Sequence, residues 1–131
     1  MIFLDTSAIY AWADTADSNH AAALRRLQRI LGDGQPLVTH NYVLVEALAL
    51  LQSRLGLDAA VKLARDSKAF IIEWVDDDLH EAGVRELVRA KGRKVSLVDH
   101  ISFLVMHRHG LTTAFAFDDD FVSAGFRLIG G

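Results

Sequence analysis

Residues 2–7 read Ile2-Phe3-Leu4-Asp5-Thr6-Ser7, an apolar triplet that stops at an acid and runs straight into helix-capping residue types. The pattern predicts a short strand, Ile2–Leu4, and then a helix from Ser7 to Asp14. The same grammar recurs along the chain. Strands are predicted at Leu37–Thr39, Phe70–Val75, Ala114–Phe117 and Arg127–Ile129. Helices are predicted from His20 to Leu31, from an Asn41 cap through Leu55, from an Asp58 cap to near Lys68, from Leu79 to Lys91 and from Ser96 to His109. Gly110 stands at the C′ position of the last. Strands separated by helices imply right-handed crossovers and a central, mostly parallel sheet flanked by helices. The expected fold class is α/β, a single three-layer domain over residues 1–131. Such sheets bind ligands beyond the carboxyl ends of their strands. Asp5 and Asp118 follow directly after two predicted strands; if those strands are neighbours, both carboxylates face one crevice.

Composition narrows the chemistry. With 131 residues, 51% hydrophobic and 24% charged, the chain has a globular make-up. It contains no Cys. That excludes disulfide frameworks, zinc–thiolate sites, iron–sulfur clusters and Cys nucleophiles. No apolar run reaches the roughly 20 residues of a membrane span, and Asp5 breaks the first one, so neither a span nor a signal peptide is expected. A net charge of −3 argues against a simple polybasic nucleic-acid binder. It leaves room for a nuclease, because a bound metal alters the local charge. There is no Gly-Lys-Ser/Thr phosphate loop and no Gly-x-Ser-x-Gly elbow.

Two further acids stand in apolar surroundings. Glu46 is the single charge within Val43-Leu44-Val45-Glu46-Ala47-Leu48-Ala49-Leu50-Leu51. A helix that apolar is expected to be buried nearly all round, and a lone buried carboxylate is costly unless paired or metal-bound. Asp99 lies near the start of the largely apolar segment Ser96–Met106. Taken singly, each acid has a plainer role. Asp5 caps the following helix; Asp118 opens a turn before Phe121; Asp99 completes a capping-box-like Ser96-x-x-Asp99; Glu46 pairs with an arginine such as Arg54 or Arg108. Taken together, four converging acids repel one another, and some must stay protonated. A divalent cation removes that conflict. An all-oxygen set with no Cys and no required His favours Mg²⁺ or Mn²⁺ over Zn²⁺ and suits phosphate chemistry.

These residues carry a resemblance. Asp5-Thr6-Ser7-Ala8, Thr39-His40-Asn41-Tyr42-Val43-Leu44-Val45-Glu46, Ser96-Leu97-Val98-Asp99, and Ala116-Phe117-Asp118-Asp119-Asp120-Phe121 with Ala124-Gly125-Phe126 match, in order and spacing, the PIN-domain proteins. More narrowly, the chain resembles VapC-type toxin ribonucleases of type II toxin–antitoxin systems along its whole length. The resemblance implies a Rossmann-like PIN fold and a Mg²⁺- or Mn²⁺-dependent endoribonuclease that inhibits translation. It implies Asp5, Glu46, Asp99 and Asp118 as the catalytic, metal-holding acids, Ser7 and Ser96 as supporting hydroxyls, and Asp120 as a second-rank acid. Asp119 departs from the family, where a basic residue is common. The implied partners are an RNA substrate, a VapB-type antitoxin and a second copy of the chain in a homodimer, in the cytoplasm and away from any membrane.

RNA must also be held. Arg85, Arg89, Lys91, Arg93 and Lys94 place five bases in ten positions and lead straight into Ser96 and Asp99. They read as a phosphate-binding flank or as a solvated helix face and loop. Tyr10, Trp12 and the Leu48–Leu55 face suit a dimer or antitoxin groove. The alternatives are a PIN-fold RNA- or metal-binding module and a non-toxin PIN nuclease of RNA processing. A haloacid-dehalogenase-type phosphatase fits less well, since Ser7 stands where its second Asp belongs.

Overall fold

A computed structural model describes residues 1–91 and 94–130. Among these residues, five strands alternate with seven α-helices. The order is β1 (Ile2–Leu4), α1 (Thr6–Ala13), α2 (His20–Gly32), β2 (Leu37–His40), α3 (Asn41–Leu55) and α4 (Leu57–Asp66). A 3-10 turn (Ser67–Ala69) leads to β3 (Ile71–Glu73), α5 (Asp77–Arg89), α6 (Leu97–Arg108), β4 (Thr113–Phe115), α7 (Asp120–Ser123) and β5 (Arg127–Leu128).

All strands run parallel in the order β3-β2-β1-β4-β5. The chain therefore winds one way from β1 and then the other, and β1 and β4 flank the switch point where such sheets bind ligands. Phe3 pairs with Ala114 and Leu4 with Phe115, so the strands before Asp5 and Asp118 are neighbours, as the crevice requires. The helices pack as α1 with α2 and α3, α3 with α4, and α5 with α6. The core beneath them includes Phe3, Leu4, Val38, Ile101, Met106, Phe115 and Phe121. No helix among the described residues is long and apolar enough to cross a membrane.

Several boundaries move, each for a local reason. The cap of α3 is His40, whose side chain accepts from Val43 N; the expected cap, Asn41, instead accepts Val75 N–H at 2.6 Å. Helix α4 starts at Leu57, with Asp58 in its first turn rather than at its cap. Strand β3 is shorter than expected because Phe70 N–H is bound in a turn to Ser67 O and Val75 N–H goes to Asn41. Strand β4 stops at Phe115 because Phe117 N–H bonds to the Ser7 hydroxyl. Helix α7 stands where only a turn was expected. Asp76 and Ser96 cap α5 and α6, and Gly110 ends α6 at φ +65°, a conformation natural to glycine.

Candidate active site

Four segments converge at the carboxyl end of β1 and β4. Asp5 is buried, 4% exposed, and is both cap and site residue. Its Oδ2 accepts the Ser7 N–H at 3.1 Å and the Ser7 hydroxyl at 2.6 Å. The same Ser7 oxygen accepts Phe117 N–H at 2.9 Å. That bond turns the chain out of β4 and brings Asp118 to the crevice. Asp118 Oδ1 accepts Asp120 N–H at 2.9 Å, a local turn that starts α7. Asp99 rides the first turn of α6, its N–H held by Ser96 Oγ at 3.1 Å. The plainer readings of Asp5, Asp118 and Asp99 thus hold alongside the converging one: caps and turns are the means by which these acids are aimed.

The outcome is a tight cluster. Asp99, Asp118 and Asp120 each present a carboxylate oxygen, all within 4.8 Å of one another. Burial pushes the Asp99 carboxyl up to about 7, and the charges of Asp5, Asp118, Asp120 and Glu46 push the same way. Asp5 is raised as well, first by burial, with Ser7's hydrogen bonds opposing and Asp118 and Glu46 adding to the rise. Asp120 is raised by its surroundings and then by Asp118, while Lys94 pulls it down. Burial first, and the neighbouring acids after it, favour the protonated form of Asp99, and a cation held among these carboxylates would favour the charged form. The donors are all hard carboxylate oxygens, which fit Mg²⁺ or Mn²⁺.

Glu46 requires a correction. It is exposed, not buried, as is its neighbour Val45 at 64%. Val43, Leu44, Ala47 and Leu51 occupy the core side of α3 and leave Glu46 on an open face. It does not pair with Arg54 or Arg108: Arg54 lies over the Tyr10 ring, and Arg108 pairs with Glu73 at 3.0 Å. Glu46 still faces the cluster closely enough to act on both Asp5 and Asp99. Asp120, ranked second by sequence, is closer to the centre than expected. Ser96 serves by capping α6. Arg85, Arg89, Lys91 and Lys94 are exposed, and Lys94 is near enough to act on Asp120. Arg93 lies outside the described residues. Sequence reasoning missed His40, which is fully buried at the end of β2 against Ser102 of α6.

The chain is similar to known proteins along nearly its whole length. The protein-family profile described as PIN domain matches residues 2–127. The 23S rRNA-specific endonuclease VapC20 of Mycobacterium tuberculosis is 42% identical over 129 residues, spanning 96% of this chain and 95% of the relative. Ribonuclease VapC26 of the same organism is 26% identical over 132 residues, spanning 99% of this chain and 95% of the relative. The crystal structure of M. tuberculosis VapC20, described as a sarcin-ricin loop cleaving toxin, superposes with a TM-score of 0.84 at 40% identity, covering 96% of both chains.

Proposed function

Because the chain belongs to the PIN-domain family, we propose that it is a VapC-type toxin, a divalent-metal-dependent endoribonuclease that hydrolyses RNA phosphodiester bonds and so inhibits translation. The observation that carries this reading is the meeting of Asp99, Asp118 and Asp120 beside buried Asp5 at the sheet's switch point. Asp5, Glu46, Asp99 and Asp118 would hold Mg²⁺ or Mn²⁺, with Asp120 joining them. Such an ion, when bound, eases deprotonation of the attacking water and draws charge from the phosphate. Ser7 keeps the Asp5 carboxylate aimed and ties it to the segment carrying Asp118. Ser96 keeps the first turn of α6 wound under Asp99. Lys94, with Arg85 and Arg89, supplies the cationic approach for RNA phosphates. Water adds to phosphorus in line and the 3′-oxygen leaves, with no covalent enzyme intermediate.

The relatives named above make 23S rRNA, and its sarcin-ricin loop, the first substrate to test. A VapB-type antitoxin is the proposed partner. A groove of about 890 Å³ supports it: its lining is mostly apolar, Trp12, Leu27, Leu63 and Phe70 among it, with Lys62 and Arg65 also present, and none of the site acids lines it. A second copy of the chain is the other proposed partner, with exposed Val45 and Trp74 as residues that its interface would cover. A cytoplasmic setting is proposed with it, where a ribosomal substrate would be met. The test is incubation of partner-free protein with 23S rRNA in Mg²⁺, in Mn²⁺ and in EDTA, with Asp99→Asn alongside. A discrete cut that needs both the metal and Asp99 is expected. Intact RNA in every metal, with metal bound, would replace the nuclease by a PIN-fold binding module.

A further inference from the structure

Helices α3 and α6, which carry Glu46 and Asp99, are joined by a buried polar relay that the proposed reaction does not use. His40 ends β2 and is fully buried. Its Nδ1 accepts Val43 N–H at 3.3 Å, closing the first turn of α3. A neutral ring that accepts at Nδ1 carries its proton on Nε2. That nitrogen lies 2.9 Å from Ser102 Oγ on α6. Ser102, also fully buried, accepts the Nε2–H hydrogen bond and donates its hydroxyl to the Val98 carbonyl at 3.0 Å, one residue before Asp99. Donors and acceptors therefore run in one direction, from Val43 N–H through His40 and Ser102 to Val98 C=O. Phe3 and Tyr42 hold the ring, with centroids 5.9 and 6.1 Å away. Burial keeps the ring neutral, lowering its pKa to about 4 against a smaller pull from the Val98 carbonyl.

A cap alone does not need histidine: Ser, Thr, Asp or Asn would serve it better. What His adds is reach to a second helix. The far end of α6 is anchored separately, by Arg108 and His109 on Glu73 at 3.0 and 2.8 Å. The relay is the polar anchor at the end that bears Asp99.

We propose that His40 is a positioning residue of the active site: through Ser102 it sets the first turn of α6, and so the Asp99 carboxylate, against α3 and Glu46. The proposal rests on the acids being a metal site. Partners that orient ligands from behind change metal affinity on the order of 10–100-fold when removed. The test is Mn²⁺ affinity of the full chain by titration calorimetry, with folding checked by circular dichroism. Asn at position 40 keeps a cap acceptor but is too short to reach Ser102; Ser102→Ala removes the link from the other side. His40→Asn and Ser102→Ala are each expected to weaken Mn²⁺ binding about tenfold, and the double variant no more than the worse single, because the two act as one unit. Lowered melting temperature with Mn²⁺ affinity unchanged would make His40 a core residue only and overturn the proposal, as would additive losses. Should His40→Asn not fold, Ser102→Ala decides. Asp99→Asn is the reference: Mn²⁺ binding undiminished in that variant would overturn the metal site itself, and the positioning role with it.

Discussion

The Ser7 hydroxyl lies 2.6 Å from Asp5 Oδ2 while accepting Phe117 N–H at 2.9 Å, so one side chain latches the end of β1 to the segment leaving β4. Removing it breaks a charge-assisted bond and frees a half-buried N–H, which costs about 1–3 kcal/mol. It also removes the side-chain bond that, with the Ser7 backbone N–H, holds down the proton affinity of Asp5. Ser7→Ala is therefore expected to lower the melting temperature, weaken Mn²⁺ binding and slow RNA cleavage about tenfold, each tenfold step being about 1.4 kcal/mol. Ser7→Thr keeps the hydroxyl and should recover most of the loss. If it recovers none in calorimetry and cleavage assays, the latch is not the hydroxyl's doing.

Asp99 makes the metal-free protein sensitive to pH. Its carboxyl titrates near 7 when folded, against 3.8 for the ordinary group. The folded state therefore binds that proton more tightly, so its stabilising share is complete below pH 3.8 and is lost as pH rises through about 7. The whole shift is worth about 4 kcal/mol; partial burial and screening by solvent reduce it to about 1–2 kcal/mol. In EDTA, Asp99→Asn should match the wild type near pH 4 and melt higher at pH 8. Mn²⁺ should reverse the order at pH 8, because a ligand that binds the native state stabilises it. Parallel melting curves across this range would mean that neither burial nor the neighbouring acids perturb Asp99.

Which of these features the sequence shows depends on how local they are. Asp5, Asp118 and Asp99 each sit beside the residues that aim them, Ser7, Asp120 and Ser96, so strand-end position and cap spacing were enough to find them. The parallel sheet followed from alternation alone. The exposure of Glu46 was hidden because apolar content says how much of a helix is oily, not which side the core takes; Val45 spends its side chain on the surface. Four residues of α7 are too short to show a period. His40 was masked by Asn41, a better cap by type, and its partner Ser102 lies 62 positions on, beyond any local pattern.

Gly83 sets the distance between α5 and α6. A Cβ there would stand 2.4 Å from Ile101 Cδ1, 3.0 Å from its Cγ1 and 3.2 Å from Leu97 Cδ1. Ile101 is fully buried, so its side chain must shift within the core to make room. Gly83→Ala gains about 1 kcal/mol of helix propensity, but overpacking costs about 1–3 kcal/mol. A net loss of about 1 kcal/mol is expected in urea unfolding, with a larger loss for Gly83→Val. Because α6 carries Asp99, Mn²⁺ affinity should fall with it. An alanine variant as stable as the wild type would show that the two helices separate freely.

Lys94 is exposed, and its charge reaches Asp120, so it stands at the rim of the acidic cluster. The cluster repels RNA, and a chain of net charge −3 has no general attraction to offer. Phosphate contacts must therefore come from particular cations, and each one displaces counterions. Losing one such contact reduces the slope of log affinity against log salt by about 0.7 on a single strand and about 0.9 on a duplex. Lys94→Ala should show that reduction together with weaker RNA binding. Arg89→Ala should show less, since Arg89 is engaged with Glu86 at 3.5 Å. Lys62→Ala serves as the control: Lys62 pairs with Asp66 at 2.8 Å and lines the apolar groove instead. Filter-binding titrations over a range of KCl concentrations measure all three. A Lys94→Ala slope equal to that of the wild type would move the RNA path away from the segment before α6, whatever became of the affinity.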